Sequence, residues 1–499
     1  MGTFLLGLDL GTTHCKAGLF GQDGRLVKVS SRRSQARRLP SGEAFYDPQE
    51  VWKTAAAALR EAIDGVPPEE IDGVGIASMA ESGLLVDRAT GAPRTGMVPW
   101  FDPAATPQAE LLLRAGDPVE RFCRTGIRPN FKCSLAKLLR LREQDPASLA
   151  GAVWLNAADY LAFRLAGTMA TDPSLAVRTY AFDLGRKDWD ADWLTTLQIP
   201  PAIFAQLRAS GQPVGEVHRE AAAGTGLREG TPVAVCGHDH VCAAYAAGAV
   251  DPGLVFDSMG TAEALVGAFP ARPLGEGDYR SGLAYGPHVV RGLHYWMGGL
   301  SASGGSVEWL RGILGEPALS YGELESLLAG AGSEPTGILY FPYLSGSGSP
   351  HADLRVRAAF VGLKAGHGRE ALVKAVFEGT AFEVEFIRRR AEEVLGTPIQ
   401  KLAVSGGGTR NRGWMQIKAD VSGCAIEILE MPEATLLGAA LLAGVGVGVF
   451  SGAAEALAGI ARPAVEVYLP EEGRHRIYRE LYKSGFLALQ EPLRGVGVK

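Results

Sequence analysis

No C-x-x-C pair links any of the six cysteines (Cys15, Cys123, Cys133, Cys236, Cys242 and Cys424), and no H-E-x-x-H or clustered Cys/His spacing is present. A disulfide framework is excluded, and free thiols in a reducing cytoplasm are expected. The opening stretch MGTFLLGLDLG has neither the basic segment nor the cleavage site of a secretory signal. Charge of either sign is scarce in excess: 49 Lys and Arg against 55 Asp and Glu leave a formal −6, which disfavours a chain that wraps nucleic acid. One run of 21 residues, 434–454, carries no charge and is long enough to span a bilayer, but five glycines interrupt it. It is read as a buried helix, ATLLGAALLAG, followed by a Gly-rich loop, with no membrane partner.

What is present is the patterning of a two-part α/β protein. At roughly 150 residues per domain, 499 residues allow two or three units. The first thirty residues read as a three-stranded meander, FLLGLDLG, KAGLF and RLVKVS. A helix follows from Asp47 to Ile63, with Asp47 as N-cap, Pro48 at its first position and Glu50 completing a capping box. GVGIASM and GLLVD read as a strand pair around the polar turn Ala80-Glu81-Ser82. Helical periods dominate residues 102–197, and TPVAVCGHDH then gives a strand entering the helix VCAAYAAGAV.

After Asp251-Pro252-Gly253, a candidate hinge, LVFDSMGTAEALVGAF repeats the opening layout. Asp9-Leu10-Gly11-Thr12-Thr13 and Asp257-Ser258-Met259-Gly260-Thr261 are the trace of a duplication, although two short Gly-Thr turns also arise by chance. The expected domains are 1–250 and 251–499. Further on, GGLSASGGSVEWLRG is a turn into a helix, residues 369–395 are helical, and IQKLAVSGGGTRNRGWMQ is a strand, a triple-glycine turn and a helix from near Asn411. The tail at 471–489 places Ile477, Leu481 and Phe486 at helical spacing for packing.

Three glycine turns stand at strand ends: Gly11-Thr12-Thr13, Gly260-Thr261 and Gly406-Gly407-Gly408. Such turns expose N–H groups and admit phosphates, though singly each is also an ordinary tight turn. None has the G-x-x-x-x-G-K-[ST] spacing, and no G-x-G-x-x-G follows the first strand, so two common nucleotide folds are disfavoured. Lys16 could reach a phosphate or stand as a surface lysine; Asp9 could hold Mg²⁺ through water or cap its turn. In Gly237-His238-Asp239-His240 a metal reading lacks partner ligands. The stronger reading makes Asp239 a general base at a strand end entering a helix. The cluster Arg32, Arg33, Arg37 and Arg38 reads as a solvated loop, and Trp100, Trp154 and Trp309 as core or pocket wall.

These motifs together resemble the FGGY carbohydrate kinases over nearly the whole chain. GLDLGTTHCKAGLF is similar to the family's first phosphate motif and CGHDHVCAAYAAG to its catalytic-aspartate segment. DSMGTAEAL matches its second phosphate motif, and SGGGTRNRGWMQIKAD with LLGAALLAG its adenosine motif. The resemblance implies two actin-like, ribonuclease-H-like ATPase domains with a catalytic cleft between them, sugar mainly on the first and ATP mainly on the second, with Mg²⁺ as the accompanying cation. Thr12, Thr13 and Lys16 would touch the phosphates, with Asp9 near Mg²⁺. Gly260, Thr261 and Gly304 would hold their other side, and Gly407 and Asn411 would flank the adenosine. Asp239 would be the base, with Glu81 and His240 binding a small ketose or polyol. A homodimer is allowed. A non-catalytic or chaperone-like ATPase of the same actin superfold, binding nucleotide and a protein partner, is the alternative.

Departures from the family pattern bear on the substrate. Arg140 stands where a tryptophan is expected, Gly346-Ser347-Gly348 replaces a Gly-Glu-Arg loop, and the arginine usual after Trp100-Phe101-Asp102 is missing. Ala80 replaces the arginine that glycerol kinases carry beside their carboxylate, which points away from glycerol.

Overall fold

The computed structural model describes residues 3–431, 433–460 and 464–496. Among these, two large sheets form, one of six strands and one of seven. The first contains β1 (Phe4–Leu10), β2 (His14–Gly21), β3 (Leu26–Arg33) and β4 (Ile71–Ser78). A separate ribbon, β5 (Gly83–Asp87) with β6 (Ala152–Asn156), intervenes before β7 (Pro213–Glu216) and β8 (Pro232–His238) complete it. Their spatial order is β7-β8-β4-β1-β2-β3, with the meander antiparallel and β1, β4 and β8 parallel.

The second sheet is built from β9 (Leu254–Met259), β10 (Glu263–Pro270), β11 (Ala284–Pro287), β12 (Leu293–Leu300), β13 (Lys401–Gly406), β14 (Ala425–Leu429) and β15 (Ala464–Tyr468). It runs β11-β12-β10-β9-β13-β14-β15. Its meander β9-β10-β12 matches β1-β2-β3, and its parallel set β9-β13-β14 matches β1-β4-β8. An antiparallel strand even closes the same edge of each, β7 and β15. The chain is therefore a doubled unit, and the two Gly-Thr turns are counterparts.

Parallel neighbours need crossovers, and helices supply them. In the first lobe α1 (Pro48–Ala62) links the meander to β4; the Asp47 carboxylate caps it by accepting from Gln49 and Glu50 N–H, a device that contributes about 1 kcal/mol. After β8 comes α2 (Asp239–Ala246). The second lobe carries α3 (Gly304–Leu314), the continuous 27-residue α4 (Arg369–Leu395), α5 (Arg412–Ser422) and α6 (Ala434–Gly446).

The charge-free helix α6 belongs to the second half of the chain but packs on the first sheet and on α2. Glycine makes this possible: a Cβ on Gly7 would stand 2.1 Å from the Leu436 carbonyl oxygen, one on Gly75 2.0 Å from that of Ala439, and one on Gly438 2.0 Å from that of Cys242. The two lobes are thus joined by backbone-to-backbone contact of α6 with β1, β4 and α2. No helix among the described residues is long and apolar enough to cross a membrane.

Several local expectations need correction. β4 and β5 are both strands but do not pair: β4 lies inside the first sheet, while β5 turns away to β6, a strand hidden in a stretch read as helical. Glu50 does not close a capping box, because its carboxylate is drawn to Lys53 at 3.0 Å. In the tail Phe486 is buried but Ile477 is exposed, since a π-helical segment at Leu481–Phe486 shifts the helical face. The arginine cluster is a solvated face, with Arg32 on Glu61 and Arg37 on Asp47.

Candidate active site

The carboxyl ends of β1, β4 and β8 lie side by side, with Leu10 opposite Ser78 and Ser78 opposite His238. Three chain exits leave this one edge: the Gly11-Thr12-Thr13 turn, the turn holding Glu81, and the corner into Asp239. That edge is where open α/β sheets hold ligands.

The corner depends on Gly237. Its φ of +126° sits at a bulge where β8 slips against β4, and a Cβ there would meet Ser174 Oγ at 2.3 Å and Asp172 Oδ2 at 3.0 Å. Those two residues brace the corner: the His238 N–H donates to Ser174 Oγ at 3.0 Å, and Ser174 is held by the buried Asp172. His238 is buried, which lowers its imidazole to about 3 and keeps it neutral; its Nε2 lies 3.2 Å from Asp239 Oδ1. Asp239 Oδ1 also accepts the His240 N–H at 2.7 Å, whereas Oδ2 accepts no hydrogen bond from the described residues. The partly exposed carboxylate therefore keeps one free oxygen at the strand ends.

Glu81 adopts a left-handed φ of +62°, unusual outside glycine, at a buried position. Its carboxylate pairs with Arg178, a residue the sequence reading passed over inside LAVRTY. Burial pushes the Glu81 carboxyl up, but Arg178, with Lys132 and Lys137, outweighs it and holds the group below its ordinary value. Lys137 donates to the Glu81 carbonyl and, at 2.9 Å, to that of Pro99. Burial lowers its ammonium to about 8. Arg178 keeps Nε and Nη1 buried without partners, and the Tyr295 phenol of β12 comes across from the second lobe beside it. His240 stands edge-on to His238, ring centroids 5.5 Å apart.

Thr12 is held from two sides: the Trp100 indole donates to its Oγ1 at 2.9 Å and the Tyr46 hydroxyl to its carbonyl at 2.7 Å. Thr13 is exposed, with Oγ1 3.0 Å from His14 Nδ1. Asp9, just inside the turn, keeps a buried Oδ1 with no partner. Burial raises its carboxyl well above the ordinary range, Asp239 and Glu433 add to that, and Lys16 opposes it. Lys16 does not project freely: its ammonium meets both oxygens of Glu433 at 2.8 Å.

In the second lobe the Gly260-Thr261 turn and the N-terminus of α3 form one unit. Gly304 N–H donates to the Gly260 carbonyl at 3.1 Å, and the N–H groups of Ser303 and Gly305 to that of Thr261 at 3.0 Å each. A Cβ on Gly304 would stand 2.5 Å from Gly260 O. Met259 lies opposite Gly406 on β13, so the Gly407 turn is its lateral neighbour; Gly407 itself has open space where a side chain would be. Asn411 caps α5 by accepting the Trp414 N–H at 2.9 Å and borders a cavity of about 650 Å³ lined also by Leu328, Lys374, Arg410 and Arg412. Beneath the turn, fully buried Lys418 of α5 bridges Asp257 and Glu263. Glu263 in turn accepts the Ser303 hydroxyl. Nothing in the spacing of these three charges signals the triad.

The expected residues thus gather in two groups. Asp9, Thr12, Thr13, Lys16, Glu81, Asp239 and His240 sit at the edge of the first sheet; Gly260, Thr261, Gly304, Gly407 and Asn411 sit at that of the second. Segment 433–435 links them, through Glu433 on Lys16 and through Thr435 Oγ1, 3.4 Å from the Asp239 carbonyl oxygen.

Residues 4–246 match the N-terminal domain of the FGGY family of carbohydrate kinases and residues 258–447 its C-terminal domain. Over 490 residues the chain is 29% identical to a xylulose kinase of Bacillus subtilis (strain 168), covering 96% of each protein. Over 480 residues it is 31% identical to a glycerol kinase of Gloeobacter violaceus, covering 95% of this chain and 93% of that relative. The crystal structure of xylulose kinase from Rhodospirillum rubrum shares the fold with a TM-score of 0.88 at 28% identity, over 98% of this chain and 99% of that one.

Proposed function

The chain belongs to the FGGY family of carbohydrate kinases and is a phosphotransferase; from that premise we propose that it transfers the terminal phosphoryl group of ATP to a hydroxyl of a small ketose or polyol, with Asp239 as general base. The observation that carries this reading is the corner at β8. A glycine bulge, a buried Asp172-Ser174 brace and a neutral His238 fix Asp239 so that Oδ2 stays unpartnered at the strand ends. A base needs that: one oxygen anchored, the other able to accept a substrate proton within hydrogen-bond reach.

Glu81, set by Arg178 and Lys137, and His240 orient the sugar hydroxyls. The free edge of Arg178 and the Tyr295 phenol complete the polar wall from both lobes. The Gly11-Thr12-Thr13 and Gly260-Thr261 turns, the latter braced by Gly304, take the phosphate chain. Gly407 and Asn411, beside the 650 Å³ cavity, take the nucleoside. Mg²⁺ fits next to Asp9, whose buried Oδ1 lacks any partner, and when bound there it supplies neutralisation of phosphate charge. Phosphoryl transfer is mostly positioning plus charge neutralisation, which suits a site built from braced turns. Division of the chain at 250/251, with closure about Asp251-Pro252-Gly253, would exclude water from the transfer. The six free cysteines agree with a reducing cytoplasm.

An ADP-release assay over a panel of ketoses, deoxyketoses and polyols tests the reading. One or a few compounds should raise turnover far above background, and the Ala80 departure predicts that glycerol is not the best of them. Background hydrolysis unaffected by every compound would instead favour an ATPase with a protein partner.

A further inference from the structure

Glu433, the partner of Lys16, occupies a marked position. β14 and α6 are the second-lobe counterparts of β8 and α2, so Glu433, the residue before α6, stands where His238 stands ahead of α2, one position before the counterpart of Asp239. Its backbone is left-handed, φ +61°, a conformation glutamate adopts at some cost. The result of that conformation is a two-oxygen grip on Lys16 at 2.8 Å, across the lobes and 417 residues away in sequence. Both partners are only partly exposed, 32% and 26%. Asp9 lies in the same field, with its unpartnered Oδ1, and so does Asp239. One ammonium is therefore gripped by Glu433 and stands opposite Asp9 on the paired strand, where the proposed polyanion would bind.

We propose that Glu433 is a positioning residue for the nucleotide: it stores Lys16 while the site is empty, yields it to the phosphate chain, and leaves a negative charge that makes binding depend on a divalent cation. This rests on the reading of Lys16 and Asp9 given above. A metal-free triphosphate must compete with Glu433 for Lys16 and then sit beside its charge. A nucleotide arriving with its cation brings the charge that offsets the displaced carboxylate.

Equilibrium binding of a fluorescent methylanthraniloyl derivative of ATP, measured in EDTA and in excess Mg²⁺, tests this. For Glu433→Gln the expected result is metal-free binding tightened roughly five- to tenfold, with binding in Mg²⁺ not tightened, so that the advantage given by the metal shrinks. Glu433→Asp, which keeps the charge, should retain most of that advantage and serves if the glutamine variant folds poorly. A metal advantage equal to wild type in Glu433→Gln would overturn the inference. Lys16→Met separates the two claims: weaker binding in both conditions upholds the phosphate reading of Lys16, and unchanged binding removes that reading and this inference with it.

Discussion

Arg178 and Glu81, 97 residues apart in sequence, form a buried ion pair at the carboxyl end of β4, and Arg178 still has Nε and Nη1 to offer. The pair fixes a carboxylate that the backbone already holds in a strained conformation. Arg178→Met leaves Glu81 buried and unpaired, which costs about 3–5 kcal/mol where no relaxation occurs. The expected outcome is a lower melting temperature and a sugar KM raised at least about tenfold, with nucleotide affinity unchanged. Steady-state kinetics with each substrate varied in turn, beside thermal denaturation, checks it.

Gly304 admits no side chain without moving the Gly260-Thr261 turn, because the atom 2.5 Å from its absent Cβ is the Gly260 backbone oxygen. Gly304→Ala should therefore raise the nucleotide KM roughly ten- to a hundredfold while the sugar KM stays near wild type. An unchanged nucleotide KM would separate Gly304 from the phosphate site.

Lys418 neutralises two carboxylates in a fully buried position, and burial together with Glu263 pushes Asp257 up to about 8 despite the lysine. Lys418→Met removes the ammonium that bridges Asp257 and Glu263. A loss of about 3–5 kcal/mol is expected, read from chemical denaturation, and nucleotide binding should weaken because Glu263 also anchors Ser303 beside Thr261.

Burial lowers His288 to about 3, and its Nδ1 accepts the Val290 N–H at 3.0 Å, which fixes it as neutral. In the unfolded chain the ring protonates near 6.5, so below that pH the unfolded state binds the extra proton and stability falls as pH falls. Its share of the loss between pH 7.5 and 5 is about 2 kcal/mol. His288→Asn keeps an acceptor for Val290 and should flatten the acid slope by that amount while leaving stability at pH 7.5 less affected. Denaturant midpoints across pH decide it.

Local signals carried much of the fold. The meander, the Asp47 cap, the three glycine turns and the β8-to-α2 corner all follow from patterns a few residues long, and the repeated Gly-Thr turn pointed to the duplication that the two sheet orders display. What stayed hidden depends on distant pairing. β5 and β6 look like parts of neighbouring elements until they pair with each other, because a short apolar run does not specify its partner. Arg178, Lys418 and Glu433 receive no role in the sequence reading, although Lys418 lies within the SGGGTRNRGWMQIKAD stretch; their partners come from 97 to 417 residues away, a distance over which spacing holds no information. Glu433 left one trace, as an acidic residue directly ahead of a charge-free run.

The most direct test of the central claim is the turnover of Asp239→Asn with the sugar that the substrate panel selects, measured beside its ATP affinity. The account requires kcat to fall by at least about 10²-fold with the fold intact and ATP bound as in wild type. Sugar phosphorylation at the wild-type rate would show that Asp239 is not the base.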